Sequence, residues 1–89
     1  MIHHDQAQLW NGPSGHAWVH LQAPLDRLFA PFLPVLLKDL APGHRVLDIG
    51  CGTGATTRAA AHVTGHALGL DISETMIAAA QREPSPARF

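Results

Sequence analysis

The sequence predicts an α/β fold in which a parallel sheet follows a set of N-terminal helices. Two short apolar stretches, 45–49 and 67–71, have the composition of buried strands, and a glycine turn with an alanine-rich helical stretch separates them. Strands joined by a helical crossover pair in parallel through a right-handed connection, which excludes a simple hairpin protein.

The length and composition describe one small globular unit. The chain has 89 residues, of which 46% are hydrophobic and 15% charged, a balance typical of folded proteins. No apolar stretch approaches the roughly 20 residues that cross a bilayer. The first ten residues lack the basic and apolar regions of a secretory signal, so we expect a cytoplasmic protein without a membrane partner.

Charge and ligand patterns exclude two classes of partner. The net charge is −1 and the six basic residues are scattered, so no nucleic-acid partner is predicted for this segment. The seven histidines lack the spacing of zinc ligands, and we expect no metal site. The single cysteine, Cys51, excludes an internal disulfide framework.

Residues 1–42 are predicted to form an N-terminal helical segment. The stretch "NGPSG" at 11–15 is a turn that leads into a helix, with Ser14 as the expected cap. Apolar residues from 25 to 40 then follow helical spacing on one face. Pro31 and Pro34 interrupt this stripe, which favours two short helices over one.

Residues 43–89 are predicted to form a partial α/β domain. Its elements are expected to be a strand at 45–49, a helix at 54–63, a strand at 67–71, a helix capped by Ser73 with Met76, Ile77 and Ala80 facing inward, and, near the end, the first residues of a third strand.

The glycine turn is the strongest functional signal. Gly50, Gly52 and Gly54 permit positive φ and leave no side chains between the backbone and a ligand at the start of the following helix. Asp71 ends the next strand, where doubly wound folds place the carboxylate that binds a ribose. The pattern therefore predicts a cofactor that contains a nucleoside.

The charge beside the turn distinguishes two cofactors. The string "GCGTGA" also fits a variant of the dinucleotide fingerprint, so spacing alone leaves NAD open. Asp48 would repel a pyrophosphate. S-adenosylmethionine has no phosphate and carries a cationic ammonium and sulfonium, and its carboxylate suits helix amides, so the charge of Asp48 favours it.

Two motifs carry a family resemblance. "VLDIGCGTG" (46–54) and "GLDIS" (69–73) resemble motif I and the following acidic motif of class I S-adenosylmethionine-dependent methyltransferases. Residues 10–32 are also similar to the N-terminal helices of a bacterial subfamily of the small-molecule type. The resemblance implies a Rossmann-like domain that binds S-adenosyl-L-methionine.

The resemblance assigns roles to the matching residues. It puts Asp48 near the methionine ammonium, the three glycines along the methionine part, Asp71 at the ribose and Ile72 against adenine. Thr53 and Cys51 would offer backbone contacts, with Cys51 alternatively a small buried filler. Trp10 and Trp18 are either core aromatics or a lid over the cofactor. No catalytic residue can be named.

The family sheet has seven strands, whereas this sequence supplies about two. We therefore expect a sheet truncated after two strands, with self-association possible through its open edge. The expected function is the cofactor-binding part of a methyltransferase for a small-molecule acceptor, inactive by itself. Two alternatives stay open: an NAD-type oxidoreductase fragment, and a non-catalytic remnant that folds only by association.

Overall fold

The computed structural model describes residues 4–89. The N-terminal part is helical, as predicted, and consists of α1 (His4–Asn11), α2 (Pro13–His20), α3 (Gln22–Phe29), a 3-10 helix (Ala30–Phe32) and α4 (Leu33–Leu37). The second part consists of β1 (Arg45–Ile49), α5 (Ala55–Thr64), β2 (His66–Leu70) and α6 (Glu74–Gln81). Across 4–89, no helix combines the length and apolarity needed to span a bilayer.

The two prolines divide the apolar stripe as predicted. Pro31 lies in the 3-10 helix, and Pro34 lies in the first turn of α4. Proline has no amide donor and is tolerated in a first helical turn, where that donor would have no intrahelical partner. The chain therefore changes from α3 to α4 through a tighter turn.

The predicted cap at Ser14 is wrong. α2 begins at Pro13, its cap position is Gly12, and no side chain caps it. Proline favours the first helical position because its φ is already fixed near the helical value. The helix therefore starts before Ser14, which lies inside it.

The sheet is parallel, as predicted. β1 pairs with β2 from Arg45 opposite His66 to Ile49 opposite Leu70. β1 has the predicted bounds, while β2 begins and ends one residue earlier than predicted. Its early start follows from Gly65, whose left-handed φ of +83° ends α5 directly before the strand.

The last residues of the sequence form an isolated bridge with β2, at the place where the first residues of a third strand are predicted. Leu68 and Arg88 form a parallel bridge. Arg88 N donates to the Ala67 carbonyl at 2.9 Å, and Gly69 N donates to the Arg88 carbonyl at 2.8 Å. The bridge therefore lies on the edge of β2 that faces away from β1, where the order 3-2-1 of doubly wound sheets has its third strand.

The two faces of the sheet differ in burial. Alternate residues of β2 are buried beneath α5, and the core contains Ala60, Ala61 and Ala67. The opposite face carries Leu47, Ile49, Leu68 and Leu70, with exposed fractions of 57%, 78%, 39% and 46%. Residues 4–89 thus leave this face more exposed than the face beneath α5.

α1 is attached to the start of α6 by polar contacts. Ser73 Oγ accepts from Met76 N at 3.1 Å, as the predicted cap should, and donates to the Trp10 carbonyl at 2.5 Å. Asn11 Oδ1 accepts from Glu74 N at 2.6 Å. The orphan amides of α6 are thus shared between a local cap and a side chain that is distant in sequence.

These contacts predict unequal effects of two serine substitutions. We expect Ser73→Ala to lower the free energy of unfolding by about 1–2 kcal/mol, because a fully buried cap and a contact with α1 are lost. Ser14→Ala is the matched control, expected to change it by less than about 0.5 kcal/mol. Urea denaturation followed by circular dichroism measures both, and equal losses would contradict this assignment of the cap.

Candidate functional site

A cavity of about 590 Å³ lies where β1 and β2 end. Its lining residues are Trp10, Trp18, Ile49, Gly50, Gly52, Leu70, Asp71, Ile72 and Met76. We call it the first cavity. Its volume lies within the range of small-molecule sites, and Asp71 is the charged side chain in an otherwise apolar lining.

At the edge of this cavity, the side chain of Asp71 connects the glycine turn to the start of α6. Its Oδ2 accepts from Gly52 N, and its Oδ1 accepts from Ser73 N, both at 2.8 Å. Each carboxylate oxygen can accept a further hydrogen bond. Asp71 therefore keeps acceptor capacity toward the cavity while its side chain is held in place.

The three positions of the turn require glycine for different physical reasons. Gly50 has a φ of +79° and Gly52 a φ of +57°, and a Cβ at Gly50 would meet nothing within 4 Å. The backbone at these two positions favours glycine without crowding. At Gly54 a Cβ would lie 2.5 Å from the Phe89 ring and 2.9 Å from Arg58 Nη1. Gly54 has a φ of +89° as well, so this position requires glycine both for its left-handed backbone and for close packing.

Two backbone amides of the glycine turn are already used in hydrogen bonds to β2. Gly50 N and Cys51 N both donate to the Leu70 carbonyl, at 2.7 and 2.9 Å. The first turn of α5, by contrast, has no side-chain cap at Gly54. The amides available to a ligand are therefore those that begin α5.

Asp48 lies apart from the cavities described here. Its Oδ2 accepts a hydrogen bond from Thr57 Oγ1 at 2.7 Å, and Thr57 is fully buried on α5. The alternation of β1 puts Asp48 on the same face as Val46, which packs against the core. Asp48 thus holds the strand to the helix.

A second cavity, of about 350 Å³, adjoins the first. Between α3, α4 and the glycine turn, it is lined by Asp26, Phe29, Ala30, Phe32, Leu33, Leu36, Cys51, Thr53, Ala55 and Thr56. The two cavities share Trp18, Gly50, Gly52 and Met76 as common lining. One extended ligand can therefore occupy both.

Cys51 lines the second cavity and is half-buried. Burial, with the charges of Asp71 and Asp48, raises the pKa of its thiol to about 11. A protonated thiol is a poor nucleophile, and this environment agrees with the small-filler interpretation. The neighbouring Thr53 uses its carbonyl to accept from Arg58 Nη1 at 2.7 Å.

Some residues at the site carried no local signal in the sequence. Asn11 and Met76 were not predicted there, and neither was Asp26, because their places depend on contacts between distant segments. Trp10 and Trp18 both line the first cavity, with ring centroids 6.3 Å apart and planes inclined by 59°. They form a wall of the cavity, a position that fits the lid hypothesis.

Comparison with known proteins identifies the family. The profile of the methyltransferase domain family matches residues 46–89, which include β1, the glycine turn and Asp71. The chain belongs to the class I S-adenosylmethionine-dependent methyltransferase family. The match leaves 10–32 outside it, so the finer subfamily resemblance of that segment stays a prediction.

The names of three curated relatives of this chain all give methyl transfer as the reaction class. A 23S rRNA (uracil(1939)-C(5))-methyltransferase of Alcanivorax borkumensis is 35% identical over 60 residues, 67% of this chain and 13% of the relative. A 24-methylenesterol C-methyltransferase of Oryza sativa is 46% identical over 46% of this chain and 12% of the relative.

The ribosomal protein L11 methyltransferase of Thermus thermophilus is 41% identical over 55% of this chain and 19% of that protein. The chain therefore spans between 12% and 19% of the length of these relatives.

The raised pKa of Cys51 predicts slow alkylation. At pH 8 a thiol of pKa about 11 has about a hundredfold less thiolate than one at the ordinary value of 9.0, so iodoacetamide should react far more slowly with the folded chain than with the urea-unfolded chain. The ratio should narrow as the pH approaches 11. Equal rates at pH 8 would contradict a protonated, half-buried thiol.

Proposed function

We propose that this chain is the S-adenosylmethionine-binding part of a methyltransferase that acts on a small-molecule acceptor. The observation that carries the proposal is the position of Asp71. Its carboxylate stands at the end of β2, beside the first cavity, and is fixed by the amides of Gly52 and Ser73. A fixed carboxylate with free lone pairs suits the two adjacent hydroxyls of a ribose.

The apolar part of the first cavity suits the adenine ring. Ile72 follows Asp71 directly and has 47% of its surface exposed, and Trp10 and Trp18 form another wall. Flat apolar surfaces bind an aromatic ring with little loss of side-chain freedom. In our proposal Ile72 packs on adenine, and the tryptophans restrict access of water.

The start of α5 suits the methionine carboxylate. The amides of its first turn have no side-chain cap, and the positive end of the helix dipole lies there. Gly50 and Gly52 supply bare backbone, and Cys51 and Thr53 contribute their backbone to the same wall. When bound, the cofactor supplies a methyl group activated by its sulfonium.

The electrostatics of the turn favour this cofactor over NAD. Burial first, and then the negative charges of Asp71 and Asp48, raise the pKa of Cys51, so the charges of two carboxylates act on the turn. A pyrophosphate would meet repulsion there, whereas a sulfonium and an ammonium would be attracted. The family match also does not favour the oxidoreductase alternative.

The acceptor is proposed to be a small molecule. The relatives' names cover an rRNA, a sterol and a ribosomal protein. Our choice is supported by the scattered basic residues and the net charge of −1, which offer no patch for a nucleic-acid backbone. We further propose that the 89 residues bind the cofactor without transferring methyl groups, because an acceptor needs in-line positioning by more walls than one half-sheet supplies.

Calorimetric titration tests this function. The chain should bind S-adenosylmethionine and not NAD, and Asp71→Ala should weaken binding by about 1–3 kcal/mol because charge-assisted hydrogen bonds to the ribose are lost. Asp39→Ala is the matched control, since Asp39 is exposed and lines neither cavity. Preferential binding of NAD, or unchanged affinity in Asp71→Ala, would overturn the proposal.

A further inference from the structure

The two cavities meet at a boundary formed by four residues. Both cavities are lined by Trp18, Gly50, Gly52 and Met76. In the proposed function, the adenosine lies in the first cavity, and the amino-acid end extends toward the start of α5 along the second cavity. The sulfonium sulfur joins these two halves of S-adenosylmethionine, so we expect its positive charge at the shared boundary.

The charges that line the two cavities suit a cation. They belong to two acids, Asp71 in the first cavity and Asp26 in the second. Within residues 4–89, no lysine, arginine or histidine lines either cavity. A positive charge is therefore attracted to this region and meets no charge of its own sign in the lining.

Trp18 is the aromatic member of the four boundary residues. Gly50 and Gly52 contribute backbone alone, and the side chain of Met76 is buried. Trp18, by contrast, has 41% of its surface exposed. A sulfonium carries no N–H or O–H donor, and the negative face of an indole attracts a cation more strongly than the ring of Phe or Tyr does.

The two tryptophans differ in their places at the site. Trp10 lines the first cavity and not the second, and its indole N–H donates to Gln6 Oε1 at 3.2 Å. The 6.3 Å between the ring centroids of Trp10 and Trp18 and their inclination of 59° fall within the range of favourable tilted aromatic pairs. Trp10 therefore supports the ring of Trp18 from the adenosine side.

We propose that the indole of Trp18 binds the sulfonium of S-adenosylmethionine through a cation–π interaction. This inference rests on the proposed function. The interaction favours the charged methyl donor over its neutral product, S-adenosylhomocysteine. It gives α2 a part in the choice between donor and product, in addition to its place in the wall of the first cavity.

Two ligands that differ by one methyl group and one charge test this inference. Calorimetric titration with S-adenosylmethionine and with S-adenosylhomocysteine gives the ratio of the two dissociation constants for each variant. We expect Trp18→Leu to weaken S-adenosylmethionine about fivefold more than S-adenosylhomocysteine, because the π face is lost while an apolar side chain remains. Trp18→Phe should change the ratio less, since a phenyl ring keeps a weaker π face. A merely structural role of Trp18 would weaken both ligands alike.

Trp10→Leu is the matched control and should leave the ratio unchanged, because Trp10 does not reach the boundary. Incorporation of 5-fluorotryptophan into the Trp10→Phe chain separates charge from shape, since fluorine withdraws electrons from the ring face. We expect it to shift the ratio about twofold against S-adenosylmethionine. An unchanged ratio in Trp18→Leu or in the fluorinated chain, or a selective loss in Trp10→Leu, would overturn the inference. If the unaltered chain binds neither ligand, the proposed function itself fails, and this inference with it.

Discussion

The carboxylate of Asp71 holds together the parts of the molecule that form the site. One oxygen accepts from the amide of Gly52 in the glycine turn, and the other accepts from Ser73 at the start of α6. Ser73 in turn donates to the carbonyl of Trp10 in α1. A continuous line of hydrogen bonds therefore runs from the turn through Asp71 to the tryptophan wall, and the first cavity lies along it.

This polar connection matters because the apolar core is small. The buried apolar residues packed between α5 and β2 are alanines, whose burial stabilises a fold less than the burial of larger apolar side chains does. Leu47 and Ile49, by contrast, lie on the more exposed face of the sheet. A chain of 89 residues has little surface to bury, so contacts such as those of Ser73 and Asn11 carry a large share of its stability.

The sequence predicts the elements whose signals are local. β1 has the predicted bounds because a short apolar run stands between a turn and three glycines, and the helix cap at Ser73 follows from its own neighbourhood. The interruption at Pro31 and Pro34 is a property of the proline ring itself.

Contacts between distant segments could not be predicted in the same way. The side chain of Asn11 accepts a hydrogen bond from the backbone amide of Glu74, 63 residues away in the sequence. Nothing local in "NGPSG" indicates that partner. Burial of Arg58 in an alanine-rich helix depends on Glu83 and on carbonyls in two other segments. The place of Asp26 depends likewise on how α3 packs beside the turn. The motifs therefore predicted the site residues that follow the two strands, whereas the site residues on α3 depend on packing that the sequence does not show.

The central claim is that ligand binding is organised around Asp71. An amide NMR titration of the 15N-labelled chain with S-adenosylhomocysteine tests it most directly. The account predicts that the amide signals of Gly52, Ile72 and Ser73 shift together with one dissociation constant, while those of Gly43 and Gly65, at the opposite end of the sheet, stay in place. Unmoved signals at Gly52 and Ser73, or larger shifts at Gly43 and Gly65, would contradict it.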